Sequence, residues 1–321
     1  FLWKPAVGAT EAGYLLVLLT IPAFIGGVST ARDATLTALG VVSVLLFLSP
    51  LVRVWRVARG LPTALDDAFG GETSPRGPAF AMGRLLDVAS PDIVPTTHVY
   101  AARPGEPALH LDVYRTPSAR PRPVLLVIHG GSWSAGDRTQ LPSHGRRLAA
   151  AGYVVAAMDY RLAPRHPFPA ALEDVYAAID WLRANADTHG IDPERVVLYG
   201  RSAGGHLALL AAYRGARPYV RGVVSLYAPT DLHFSWANPS NPLVLDTPTT
   251  LRAFMGGAPT DSAALDARYT EASPLRHVHA SAPPTLLVHG GRDELVRARQ
   301  MTRLAARLEA DGVAHFALAL P

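Results

Sequence analysis

The 321-residue sequence contains no cysteine. That excludes a disulfide framework, a thiolate nucleophile and any cysteine-ligated metal site, and says nothing of the compartment. Lysine is almost missing: Lys4 is the single one, and the remaining cations are arginines scattered along the chain. With a formal net charge of +4 and no basic stripe, a nucleic-acid partner is not expected. Charged residues make up 17% of the chain against 49% hydrophobic ones, and the first 60 residues carry much of that deficit.

Two stretches there, 12–31 and 34–52, hold no charged side chain and are separated by Arg32-Asp33. Each is near the roughly 20 residues that cross a bilayer core as a helix. The pattern predicts a membrane anchor over 1–59, built as a transmembrane helical hairpin with the lipid bilayer as partner. A buried hairpin of a soluble protein is the alternative, and two segments without a cleavage site fit a signal peptide poorly. Lys4 precedes the first stretch and Arg53, Arg56 and Arg59 follow the second. This favours the cytoplasmic side for both flanks and for the domain carboxyl-terminal to them. The sequence opens on Phe1 and ends at Pro321 inside an apolar run, so a longer parent chain is expected.

Residues 60–95, rich in Gly, Pro and Ala, are expected to form a linker and a partial cap. From 96 the pattern becomes that of an α/β domain. Strands are expected at 96–101, 109–115, 124–129, 153–158, 195–199, 220–226, 285–288 and 313–320. Helices are expected at 140–151, 170–186, 203–213 and 297–311. Strands alternating with helices mean a mostly parallel sheet covered on both faces. The Pro-rich stretch 232–282 interrupts the rhythm as a cap-like insertion with one expected helix, 249–256.

Gly200-Arg201-Ser202-Ala203-Gly204 follows the apolar run Val196-Val197-Leu198-Tyr199. A G-x-S-x-G pentapeptide between a strand and a helix places a serine on a sharp turn, exposed for nucleophilic attack. Ser202 is therefore the candidate nucleophile. His129-Gly130-Gly131-Ser132-Trp133 ends an earlier strand, where an oxyanion-hole loop belongs. The backbone N–H groups of Gly131, Ser132 and Ala203 are the candidate donors, with His129 and Gly130 supporting the loop. His289-Gly290-Gly291-Arg292-Asp293 follows a later strand. Asp293 is the candidate triad acid, the alternative being a helix N-cap. Asp231 is the next candidate for the acid but is expected to brace its loop, and His206 is expected to pack under the turn. The base must follow Asp293, and the only later histidine is His315. His315 stands near the start of the last expected strand, about five residues or roughly 16 Å from the rim where active sites of such sheets lie. The base is therefore expected in the loop just after Pro321.

These motifs, with Gly136-Asp137 and Asp159-Tyr160-Arg161-Leu162-Ala163-Pro164, resemble an α/β-hydrolase of the hormone-sensitive-lipase-like and bacterial carboxylesterase group. The resemblance covers about 96–321. It implies an α/β-hydrolase catalytic domain, ester hydrolysis without metal or other cofactor, and a last strand leading into a loop that bears the catalytic histidine. Ser132 stands where the family often has a third glycine. The apolar N-terminal segments are similar to those of prenylcysteine-methylesterase-like relatives, which implies a lipophilic ester substrate. The expected function is a membrane-anchored serine carboxylesterase or lipase. The alternatives are an acyltransferase using the same acyl-enzyme with a membrane alcohol, and a non-catalytic binding protein of the same fold.

Overall fold

The computed structural model describes residues 34–71, 91–215 and 217–321. The chain divides into two compact units, one containing the long N-terminal helix and the other the sheet with its covering helices. The first expected span, 12–31, and most of the 60–95 linker and cap lie outside the described residues.

Helix α1 (Ala34–Phe69) is 36 residues long. It has the length and composition to cross a membrane, with a mean hydropathy of 2.0 over its most apolar window, and Leu39, Leu45 and Leu46 on its surface are exposed. It overruns the expected end at 52 by 17 residues, so 60–69 are helical. Gly60 and Pro62 invited a break. A proline removes only one hydrogen bond of the helix ladder, which discourages a helix without forbidding it.

The second unit begins with the antiparallel pair β1 (Thr96–Ala101) and β2 (Leu109–Tyr114). It continues with β3 (Arg122–Ile128), α2 (Pro142–Ala150), β4 (Val154–Met158), α3 (Ala170–Ala184) and the short α4 (Ala186–His189). Then come β5 (Ile191–Arg201), α5 (Ala203–Tyr213) and β6 (Val220–Leu226). The strand order is β1-β2-β4-β3-β5-β6-β7-β8, with β7 at Thr285–Gly290 and β8 at His315–Leu320. Pairing from β4 through β7 is parallel, while β2 runs antiparallel to β4. The central strands are near-continuous Val/Leu/Ile/Ala runs because helices cover both faces. Helix α5 is buried along its whole length and packs behind β5.

The insertion between β6 and β7 carries more structure than expected. It holds α6 (Leu232–Ala237), α7 (Thr247–Met255), α8 (Ala263–Glu271) and a 3₁₀ turn at Pro274–His277, in place of the single expected helix. The signals for the extra helices are their caps. The side chains of Asp231, Asp246 and Ser262 each accept the N–H three residues on, from Phe234, Thr249 and Leu265. Helix α9 (Arg299–Ala310) then leads to β8.

Candidate active site

Ser202 sits between the end of β5 and the start of α5 with φ 51° and ψ −121°. This backbone is costly for a side-chain-bearing residue, on the order of 1–3 kcal/mol, and persists only where the surroundings enforce it. They do so here. The Ser202 N–H donates to the Leu226 carbonyl at 2.9 Å, and its own carbonyl accepts the His206 N–H at 2.9 Å. The flanking glycines are required by close approach. A methyl group on Gly200 would stand 2.2 Å from the Gly204 carbonyl oxygen, and one on Gly204 would stand 2.1 Å from the Ile128 carbonyl oxygen.

The loop after β3 runs beside this turn. A methyl on Gly130 would meet the Ser202 Cβ at 3.4 Å. Gly131, Ser132 and Trp133 all have positive φ, 131°, 53° and 57°, so the loop coils tightly as it passes the serine. The Gly131 carbonyl is occupied by the N–H groups of Ser134 and Ala135. His129 is buried; its Nδ1–H donates to the Gly130 carbonyl at 2.8 Å, and its ring stacks on Tyr160 at 4.1 Å. The Tyr160 hydroxyl returns a bond to the His129 carbonyl. Burial pushes the His129 imidazole below its ordinary pKa.

A third motif fixes the far end of the loop. Asp159 accepts the backbone N–H and a guanidinium N–H of Arg138, both at 2.9 Å, while Arg138 Nε reaches Asp112 on β2 at 2.9 Å. Arg161 binds buried Asp174 on α3 and the Ala170 carbonyl. The Asp159–Pro164 segment thus clamps both the loop after β3 and the helix α3. The sequence supplied this motif only as a resemblance; Arg161 and Asp174 are 13 positions apart and Arg138 and Asp159 are 21.

Ser132, Ser202 and Ala203 line one cleft. Trp133, Phe234, Leu251, Leu295 and Val296 give it apolar walls, and Gln300 adds a polar group. Asp293 lies in the turn after β7 that carries Leu295 and Val296 to this cleft. Its Oδ1 accepts both of their N–H groups, at 2.8 and 2.9 Å, and its Oδ2 lies 3.3 Å from His289 Nε2. Burial alone would raise the Asp293 carboxyl, but the His289 contact and the two N–H groups outweigh it and hold it below the usual range. Asp293 does not cap α9, whose N-cap position is Ala298. Asp231 caps α6 and pairs with Arg303 at 2.6 Å.

The histidines at the motifs are engaged elsewhere. His289 donates to the Val296 carbonyl at 2.7 Å. His315 opens β8 and bonds the Val313 carbonyl at 2.9 Å. His206, fully buried, donates from Nε2 to the Ala272 carbonyl at 2.7 Å and accepts the Trp133 indole N–H on Nδ1 at 3.2 Å. Among the described residues no group of three or more His, Asp and Glu is placed to hold a metal ion.

Burial pushes His206 down to about 4 from its ordinary 6.5. The folded state then binds fewer protons than the unfolded one between those values, so stability falls as pH drops from 6.5 to 4. The loss is on the order of 3 kcal/mol. Urea unfolding of His206→Asn is expected to show a shallower pH slope than wild type in that window; parallel slopes would contradict the assignment.

Residues 111–308 match the BD-FAE family model. The chain belongs to the BD-FAE family. That places it in the α/β-hydrolase superfamily, in the hormone-sensitive-lipase-like carboxylesterase group. Among similar proteins of Mycobacterium tuberculosis, esterase LipC is 34% identical over 64% of this chain and 53% of its own length. Esterase LipQ is 31% identical over 79% of this chain and 65% of its own. The chain thus spans a little over half to about two-thirds of these curated relatives. A solved esterase of Pyrobaculum calidifontis is 27% identical, with a TM-score of 0.60 over 82% of each chain.

Proposed function

We propose that this BD-FAE protein is a serine carboxylesterase acting through an acyl-enzyme on Ser202. The observation that carries the reading is the convergence of Ser202, Ser132 and Ala203 on one cleft, with the Asp293 turn forming part of its wall. Ser202 Oγ attacks the ester carbonyl carbon and gives its proton to a histidine base, which passes it to the departing alkoxide. The developing oxyanion is met by the N–H groups of Ala203, Ser132 and Gly131, each such donor being typically worth about 3 kcal/mol in the transition state. Asp293 orients the histidine and stabilises its cationic form. Water then attacks the acyl carbon, the base takes its proton, and the free acid leaves with Ser202 regenerated. The base is assigned to a histidine carboxyl-terminal to Pro321, because each histidine of the motifs serves another partner.

The test is product analysis of the full-length protein with p-nitrophenyl acetate and a longer acyl ester. Equal amounts of acid and alcohol are expected. Absence of turnover with either ester would contradict the reading, and transfer of the acyl group to an added lipid alcohol would redirect it to acyl transfer.

The second part of the proposal is that α1 anchors the enzyme in a bilayer, with Arg53, Arg56 and Arg59 on the cytoplasmic side. The length and mean hydropathy of α1 support it, as does the Arg59 guanidinium lying 4.7 Å from the Trp55 ring, an aromatic–cation pair suited to a headgroup boundary. Full-length protein is expected to stay with the membrane pellet through alkaline carbonate extraction. Release into the supernatant would remove the anchor from the account.

A further inference from the structure

We propose that His206 is a positioning residue that sets the oxyanion loop on Ser202, by holding the Trp133 indole on its Nδ1. The proposal rests on the ester-hydrolase reading and adds to it a residue outside the nucleophile, the acid and the oxyanion donors.

The geometry is directional. His206 lies on α5, four residues after Ser202, and its N–H is bonded to the Ser202 carbonyl. The Ala272 carbonyl can only accept, so Nε2 carries the imidazole proton and Nδ1 is left as an acceptor. The Trp133 indole N–H can only donate, and it meets that acceptor at 3.2 Å. One tautomer therefore satisfies both bonds. The three elements joined are the helix behind the nucleophile, the loop carrying Ser132, and the insertion after α8. Trp133 follows Ser132, and its N–H shares a peptide unit with the Ser132 carbonyl, so a turn of the indole is passed along the loop to the Ser132 N–H one residue away.

The indole has little freedom otherwise. It stacks on Phe254 of α7 at 4.3 Å with planes 7° apart, and the His206 ring meets it edge-on at 5.1 Å. The Trp133 carbonyl accepts the Ala163 N–H at 2.9 Å. Packing alone would be served by any apolar residue of similar size at 206. The polar chain Trp133–His206–Ala272 adds a fixed angle for the indole, and with it a fixed position for the loop.

The experiment is steady-state hydrolysis of p-nitrophenyl acetate by the full-length protein, with active sites counted by fluorophosphonate titration. His206→Leu removes both polar contacts. Trp133→Phe removes the indole N–H and keeps an aromatic ring. Each is expected to lower kcat per titrated site by about tenfold to a hundredfold, a part of one oxyanion donor's worth, with KM changed much less. The double variant is expected to be no slower than the worse single variant, because both remove the same link. His206→Asn places Oδ1 where Nδ1 stood, and is expected to recover most of the kcat lost in His206→Leu. Lowered Tm with unchanged kcat per titrated site in both single variants would overturn the proposal, as would losses that multiply in the double variant. If His206→Leu fails to fold, Trp133→Phe decides by the same kcat criterion. A wild-type protein that neither hydrolyses the ester nor takes the probe overturns the hydrolase reading itself, and the proposal with it.

Discussion

Replacing Ser202 by alanine is expected to lower kcat for ester hydrolysis by about 10⁴- to 10⁶-fold, as removal of a serine nucleophile does elsewhere. In this account no other side chain forms the acyl bond. A residual rate above water is expected, because the N–H groups of Ala203, Ser132 and Gly131 remain and still meet a developing oxyanion. The change is expected to be silent in folding. Ser202 is held at φ 51° by backbone bonds to Leu226 and His206, and alanine keeps both bonds and the same steric cost. Near-identical melting curves with kcat reduced by that factor are the expected pair of measurements. A folded Ser202→Ala enzyme within tenfold of wild type would remove the acyl-enzyme from the mechanism.

Asp293→Asn carries the second largest expected effect, a loss of about 10³- to 10⁴-fold in kcat, the scale seen when a triad carboxylate becomes an amide. The Leu295 and Val296 N–H groups hold Oδ1 of the carboxylate, and His289 Nε2 stands 3.3 Å from Oδ2, so the group is fixed in orientation. Asparagine can keep the two N–H bonds through Oδ1, so the turn survives. It loses the charge that stabilises an imidazolium and presents an N–H₂ group where an acceptor is needed. Normal circular dichroism with the expected loss of kcat would support the role. A loss below tenfold would leave Asp293 as a turn residue.

Much of the fold is legible in the sequence because the sheet is buried on both faces. Runs such as Val124-Leu125-Leu126-Val127-Ile128 and Val154-Val155-Ala156-Ala157-Met158 have no polar interruption, and turn residues bound them. The end of α1 is not legible, since Gly60 and Pro62 weaken a helix locally and say nothing of the residues beyond. The insertion shows little of itself because its helices are short and weakly patterned, with their signal confined to single capping residues. At the candidate site, Ser202, Ser132 and Ala203 stand out because motif spacing reports local backbone. His206 and Arg138 do not. Their work is done by contacts to Trp133, 73 positions away, and to Asp159 and Asp112, 21 and 26 positions away, which only the folded chain brings together. Sequence marks His289 only as a loop residue; its place 3.3 Å from Asp293 is likewise a property of the turn after β7.

The central claim is that Ser202 is the nucleophile of this BD-FAE protein. Its most direct test is to inactivate the full-length protein with a fluorophosphonate and locate the adduct by peptide mass spectrometry. The account predicts one phosphonyl group per chain, on the peptide containing Gly200–Gly204 and on Ser202 within it, appearing in step with loss of esterase activity. Inactivation with the adduct on any other residue, or hydrolysis that persists when Ser202 is fully modified, would contradict it.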